Sequence, residues 1–321
     1  MSLSRQLRLG TRGSALALWQ ARAVAGRLAD SGGPTCEIVV IKTAGDRLQD
    51  APLAESGGKR LFVKEIEEAL LNGDVDLAVH SSKDLPALLP DGLVIAGVLP
   101  REDPLDALVL PSASGLRAKD SGLQECVARL GPTPTIGTGS VRRIAQLTRI
   151  LPGASFTPIR GNLDTRLRKL DAGQYGALVL AAAGLRRLGF AERISLALPA
   201  ASCVPAPGQG IVAIETREDD PARQLVAAID DRTAHTALRA ERAVVDALGG
   251  GCQMPLGVLA APFGEGEIEI LAVVIAPDGS RVLRARARGP DGEADLLGAQ
   301  AARDLLAQGA AEILGTSEFL K

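Results

Sequence analysis

Short apolar runs alternate with helix-length amphipathic segments over the first two thirds of this chain, and that alternation narrows the possible folds more than any other feature. Residues 7–9 (LRL) read as a strand, and Ser14 is placed to cap a helix in which Ala17, Ala21, Val24 and Leu28 recur on one face. Residues 37–42 (EIVVIK) read as a buried strand. Residues 62–72 form a helix with Phe62, Ile66, Ala69 and Leu70 inward, and strands follow at 75–79 and 93–98. Strands alternating with helices imply α/β architecture with parallel, doubly wound sheets covered on both faces.

The segment 100–104 (PREDP) marks a boundary, after which a second alternating unit begins. Strands are expected at 107–110, 135–136, 156–159 and 177–181, with helices near 123–130, from Ser140 and from Leu163. Residues 199–210 (PAASCVPAPGQG) have the composition of a hinge, and the strand at 211–215 offers the chain a way back to the first unit. From Thr233 a long helix runs to three glycines at 249–251, followed by strands at 258–261, 268–275 and 282–288 and a last helix at 293–314. The expected division is a first domain of residues 1–99 and 211–228, a second of 105–204, and a small α+β third of 233–321.

Composition excludes several classes. The net charge of −2 provides no field for nucleic acid, and 2% aromatics are too few for base stacking. No apolar run is long enough to span a bilayer, the N-terminal residues lack an apolar signal core, and the expected compartment is the cytoplasm. Cys36, Cys126, Cys203 and Cys252 form no CxxC pair, and His80 and His235 are too few for a histidine-rich metal site. The first three cysteines are expected to be structural. Gly57-Gly58-Lys59 lacks the complete phosphate-loop pattern. Gly208-Gln209-Gly210 leads from a proline-rich loop into a strand, the wrong context for a dinucleotide fingerprint.

Polar clusters fall where expected strands end, which is where open α/β sheets bind ligands. Thr11 and Arg12 follow the first strand, residues 80–84 (HSSKD) a later one, residues 138–143 (TGSVRR) another, and Arg160 and Asn162 a fourth. Residues 136–190 hold nine basic side chains against Asp164 and Asp171, a local excess of +7. Arginine forks and helix starts bind carboxylate or phosphate, so a small, multiply anionic ligand is inferred. Arg166 and Arg168 cannot share one helix face, so some of these arginines are solvated. Asp84 is either a turn residue or an acid able to stabilise a developing cation and move protons in a basic cleft. Cys252, behind three glycines, is either a small buried residue or an exposed thiol able to hold a group covalently.

Eight segments in one order resemble the porphobilinogen deaminase family: LGTRGSALALWQA at 9–21, GGKRLFVKEIEEALL at 57–71, DLAVHSSKDLP at 76–86, REDPLDALV at 101–109, IGTGSVRR at 136–143, the stretch 159–189, PAPGQG at 205–210 and ERAVVDALGGGCQMPLG at 241–257. The resemblance implies two lobes like those of periplasmic binding proteins around a cleft, and a third domain carrying a cysteine loop. It implies a transferase that condenses four porphobilinogen molecules into hydroxymethylbilane, primed by a dipyrromethane cofactor in thioether linkage to Cys252. It places the acid–base carboxylate at Asp84, where it assists loss of ammonia, and cofactor contacts at Lys83, Asp84, Ser140, Arg142 and Arg143. Substrate contacts fall on Arg12, Ser14, Arg160, Arg166, Arg187, Gln209 and Lys59. Glu55 stands where bacterial relatives often have lysine, so no second basic contact is expected from that loop. A monomer is expected. The competing expectation is a non-catalytic two-lobed receptor for a small polycarboxylate, which fits the lobes and arginines but has no use for Asp84 or the cysteine loop.

Overall fold

The computed structural model describes residues 6–47, 61–115, 122–250 and 254–315. The expected functional positions Lys59 and Cys252, together with Glu55, lie outside them. The first lobe opens with β1 (Leu7–Thr11), α1 (Ala15–Asp30), β2 (Cys36–Val40), α2 (Ala44–Arg47), α3 (Lys64–Leu71), β3 (Leu77–Ser81) and β4 (Leu93–Val98). Extended Ser14 starts α1 by accepting the Ala17 N–H at 3.2 Å. Ala21, Val24 and Leu28 then pack beneath that helix against Leu9 and Val79 of the sheet. The opposite face is covered by Ile66 and Leu70 of α3.

The chain crosses once into β5 (Asp106–Val109), α4 (Leu123–Leu130), β6 (Thr135–Gly137), α5 (Val141–Leu147), β7 (Ser155–Thr157), α6 (Leu163–Asp171), β8 (Ala177–Ala181), α7 (Ala182–Arg187) and β9 (Leu196–Ala197). It then crosses back into β10 (Val212–Arg217) and α8 (Ala222–Ala227). The first sheet has the order β2-β1-β3-β10-β4 and the second β7-β6-β8-β5-β9. Cys126 and Cys203 are buried in the core of the second lobe, and Cys36 packs half-buried against that of the first.

Both sheets are mixed, which corrects the expectation of parallel ones. β10 runs antiparallel to β3 and β4, and β5 antiparallel to β8 and β9. Each of these two strands is the first after a crossing. Asp106 pairs with Ala181 at the end of β8, and Val212 with Ser81 at the end of β3. A chain entering at the C-terminal ends of the parallel strands has to run away from the cleft, against its neighbours. The crossings therefore lie at the same ends of the sheets as the polar clusters.

The third domain follows: α9 (Arg232–Ala247), β11 (Leu256–Pro262), β12 (Glu267–Ile275), β13 (Val282–Pro290), α10 (Ala294–Ala307) and α11 (Ala310–Gly315). Its antiparallel sheet β11-β12-β13 packs one face on α9 and α10 through Val244, Ile270, Val274 and Leu305. α9 also turns Ala234 and Leu238 toward Val98 and Ala213 of the first lobe, joining the two cores. Among the described residues no helix is long and apolar enough to cross a membrane.

Candidate active site

A cavity of about 420 Å³ opens where the two lobes and α9 meet. Its walls bring together seven of the expected site residues: Lys83, Asp84, Ser140, Arg142, Arg143, Arg166 and Gln209. Lys83 and Asp84 lie in a single 3₁₀ turn directly after β3. Ser140 caps α5 by accepting the Arg143 N–H at 3.4 Å, so the first turn of α5 carries Arg142 and Arg143 to the cavity. Asn162 caps α6, whose Arg166 faces the cavity while Arg168 turns to solvent and pairs with Asp164 at 3.1 Å. Phe62, Leu238, Val245, Met254 and Leu256 form apolar wall.

Asp106, which the sequence did not single out, organises the basic side. It is fully buried at the start of β5. Its carboxylate accepts from Arg142 Nη1 at 2.6 Å and Nη2 at 3.2 Å, and from Arg143 Nε at 2.9 Å. These arginines also donate to backbone carbonyls, Arg142 to Val204 O and Arg143 to Val179 O, and Arg142 Nη1 reaches Cys203 Sγ at 3.8 Å. Burial alone would push the Asp106 carboxyl up, but the two guanidiniums outweigh it and hold the group well below the usual carboxylate range. Asp106 lies outside the basic window, so the local charge excess in the sequence overstates the free positive charge. A lone acid opening the apolar strand 106–109 was the signal available.

Lys83 is pushed down to about 8, first by burial, with Arg143 and Arg142 adding to the effect and Asp84 and Asp106 opposing it. Burial lowers Arg166 as well, helped by Arg143 and opposed by Asp84. Arg242 of α9 reaches the cavity and donates to Pro86 O at 3.0 Å, tying the third domain to the turn after Asp84. Around the cysteine loop, Met254 lines the cavity and a Cβ on Gly250 would meet Ala87 at 3.3 Å.

Four other expected residues lie outside the cavity lining. Arg12 is paired with Asp46 and stacked 4.5 Å from the centre of the Phe62 ring. Ser14 is occupied as the cap of α1. Arg187 donates to Gly210 O at 2.7 Å and lies 5.4 Å from the Trp19 ring centre, bridging α7 to α1 across the lobes. Arg160 is half-buried just past β7.

Solved structures similar to this chain include a VFT2 domain of BvgS from Bordetella pertussis, at 18% identity over 70% of this chain and 85% of that one, with a TM-score of 0.40. An ancestral cationic amino acid solute-binding protein matches at 16% identity over 69% and 86%, with a TM-score of 0.39. A substrate-binding protein of an amino acid ABC transporter from Streptococcus pneumoniae matches at 14% over 74% and 94%, with a TM-score of 0.37. These likenesses are too loose to speak for ligand or activity. The family models are specific. Residues 7–224 match the porphobilinogen deaminase dipyrromethane cofactor-binding domain, and residues 235–307 match the porphobilinogen deaminase C-terminal domain. With nearly its whole length matched, and with a two-lobed cationic cleft closed by a third domain, the chain belongs to the porphobilinogen deaminase family and to tetrapyrrole biosynthesis.

Proposed function

We propose that the chain is a hydroxymethylbilane synthase: it joins four porphobilinogen molecules head to tail, releases ammonia, and builds on a dipyrromethane primer held in thioether linkage by Cys252. The observation that carries this reading is Asp84, a carboxylate on a cavity wall whose other charged groups are Lys83, Arg142, Arg143, Arg166 and Arg242. A plain polycarboxylate receptor would use the cations and gain nothing from an acid among them.

The residues present fit the primer. A dipyrromethane bearing an acetate and a propionate on each ring has four carboxylates and two flat apolar faces. The cavity offers five cationic side chains and the apolar wall around Phe62 and Leu238, at a size usual for small-molecule sites. Lys83, Ser140, Arg142 and Arg143 would hold its acidic arms. Cys252 lies two residues from Met254 of the cavity wall, which supports attachment there. When bound, the primer supplies the free pyrrole carbon on which the chain grows.

Asp84 performs the proton work. Each condensation breaks the C–N bond of the substrate's aminomethyl group and forms one C–C bond to a pyrrole carbon. The departing amine takes up a proton and the attacked carbon gives one up, so a single carboxyl group alternating between its two forms closes the balance. Its negative charge also opposes the positive charge that develops on the substrate. Arg166 binds the arms of incoming substrate from the opposite wall. Arg12, Ser14, Arg160, Arg187 and Lys59 are left for the arms of a chain that outgrows the cavity. Hydrolysis releases the finished tetrapyrrole. Monomeric, cytoplasmic operation is part of the proposal and rests on the family likeness.

The test is the intact mass of the denatured protein, followed by peptide mapping. An adduct of two linked pyrrole units on the Cys252 peptide, absent from Cys252→Ser, is expected. Asp84→Ala is expected to keep the adduct and lose roughly 10²- to 10⁴-fold in kcat. A bare mass that incubation with porphobilinogen does not change would sink the proposal.

A further inference from the structure

A run of polar contacts between side chains lines the cavity floor. Gln209 is fully buried in the second crossing. Its amide nitrogen donates to Pro104 O at 2.7 Å and to Asp106 Oδ1 at 3.0 Å, and its amide oxygen accepts from Lys83 Nζ at 3.4 Å. The amide has one sensible orientation, because a flipped group would set its oxygen against the Pro104 carbonyl and the Asp106 carboxylate. Asp106 in turn accepts from Arg142 and Arg143. The run therefore leads from the Lys83–Asp84 turn of the first lobe, through the hinge, to the paired arginines of the second.

We propose that Asp106 and Gln209 are positioning residues: together they fasten the Lys83–Asp84 turn to the Arg142–Arg143 pair, so that both halves of the carboxylate-binding floor move as one piece. Gln209 then serves as an internal tie between the lobes, with both amide donors spent on protein. Arg142 and Arg143 offer a ligand only the N–H groups left after Asp106, Val204 O and Val179 O are served. The kinetic part of this assignment rests on the proposed function; the tie itself does not.

The experiment compares the full-length wild type with Gln209→Met and Asp106→Asn. Competitive acetylation by acetic anhydride across pH, read on the Lys83 peptide of protein without primer, reports the Lys83 titration directly. Asp84 and Asp106 face this amine as acids, and Arg142 and Arg143 as cations. Losing the Gln209 acceptor or the Asp106 charge is expected to move the Lys83 midpoint to lower pH. Gln209→Met retains the backbone ties of residue 209, Arg101 Nε to its carbonyl at 2.9 Å and its N–H to Ala206 O at 3.0 Å, so the comparison stands even where Asp106→Asn does not fold. In primer-loaded protein, with loading counted by mass, Gln209→Met is expected to lose about tenfold or more in kcat with KM for porphobilinogen within about threefold, as befits loss of transition-state positioning. An unmoved Lys83 midpoint, or a loaded Gln209→Met enzyme with wild-type kcat, overturns the assignment. A wild type that does not consume porphobilinogen overturns the proposed function instead, and the acetylation result then decides the tie alone.

Discussion

Lys83 illustrates how much one side chain depends on what surrounds it. In sequence it is an ordinary lysine after a strand. In the fold it titrates near 8, because burial disfavours its charge and two arginines repel it. Below that pH it is cationic and, on the proposed function, available to the carboxylates of substrate; as pH rises through about 8 the free protein loses that charge. The kcat/KM for porphobilinogen is therefore expected to fall above about pH 8, and a pH profile of Lys83→Arg is expected to lack that limb, since a guanidinium stays charged. A bound carboxylate stabilises the ammonium, so the corresponding limb in kcat lies at higher pH. The same depressed value costs stability while both folded and unfolded chains hold the proton. The cost is relieved as pH climbs from about 8 toward the normal lysine value, because there the unfolded chain binds the extra proton.

At the scale of elements, the second crossing is tightly constrained backbone beside the site. Gly208 and Gly210 have φ of 72° and 88°, a region that side chains rarely adopt. A Cβ on Gly208 would stand 2.6 Å from Ser82 Oγ, and one on Gly210 2.2 Å from Glu102 O. The two glycines let the chain turn while Gln209 projects into the seam between the lobes. Gly210→Ala combines a disfavoured conformation with a clash against the Glu102 backbone carbonyl. It is expected to lower stability by about 1–3 kcal/mol or more, measured as a fall in the denaturant midpoint at unchanged m. The Gly-Gln-Gly letters in the sequence reflect this hinge, and the sequence context had already set them apart from a nucleotide loop.

At the scale of the whole molecule, one ion pair gathers all three domains. Glu241 of α9 is fully buried. It accepts from Arg101 Nη1 at 2.7 Å, from the Ala260 N–H at 2.8 Å and from the Gly208 N–H at 2.5 Å. Arg101 belongs to the first crossing, Gly208 to the second and Ala260 to the third-domain sheet. Removing one partner of a buried pair leaves a charge without compensation, at about 3–5 kcal/mol. Glu241→Met is expected to lower the thermal midpoint and to make the third domain the first part released by limited proteolysis; equal protection of all three domains would count against the junction.

Local chemistry written into the chain accounts for much of this protein. The strand and helix periods, the Ser14 cap, the helix start at Ser140, the proline-rich hinge and the polar residues after the strands are visible because they depend on neighbours a few positions away. The resemblance in eight ordered segments carried the family. Tertiary structure alone decided which charges meet. Asp106 finds Arg142 and Arg143 36 and 37 residues on, and Arg101 finds Glu241 140 residues on. It also turned β5 and β10 against their neighbours, because the direction of a strand after a crossing depends on where the chain enters the next sheet. Periodicity fixes which face of an element is buried; only the packed fold fixes which buried charge it is buried against.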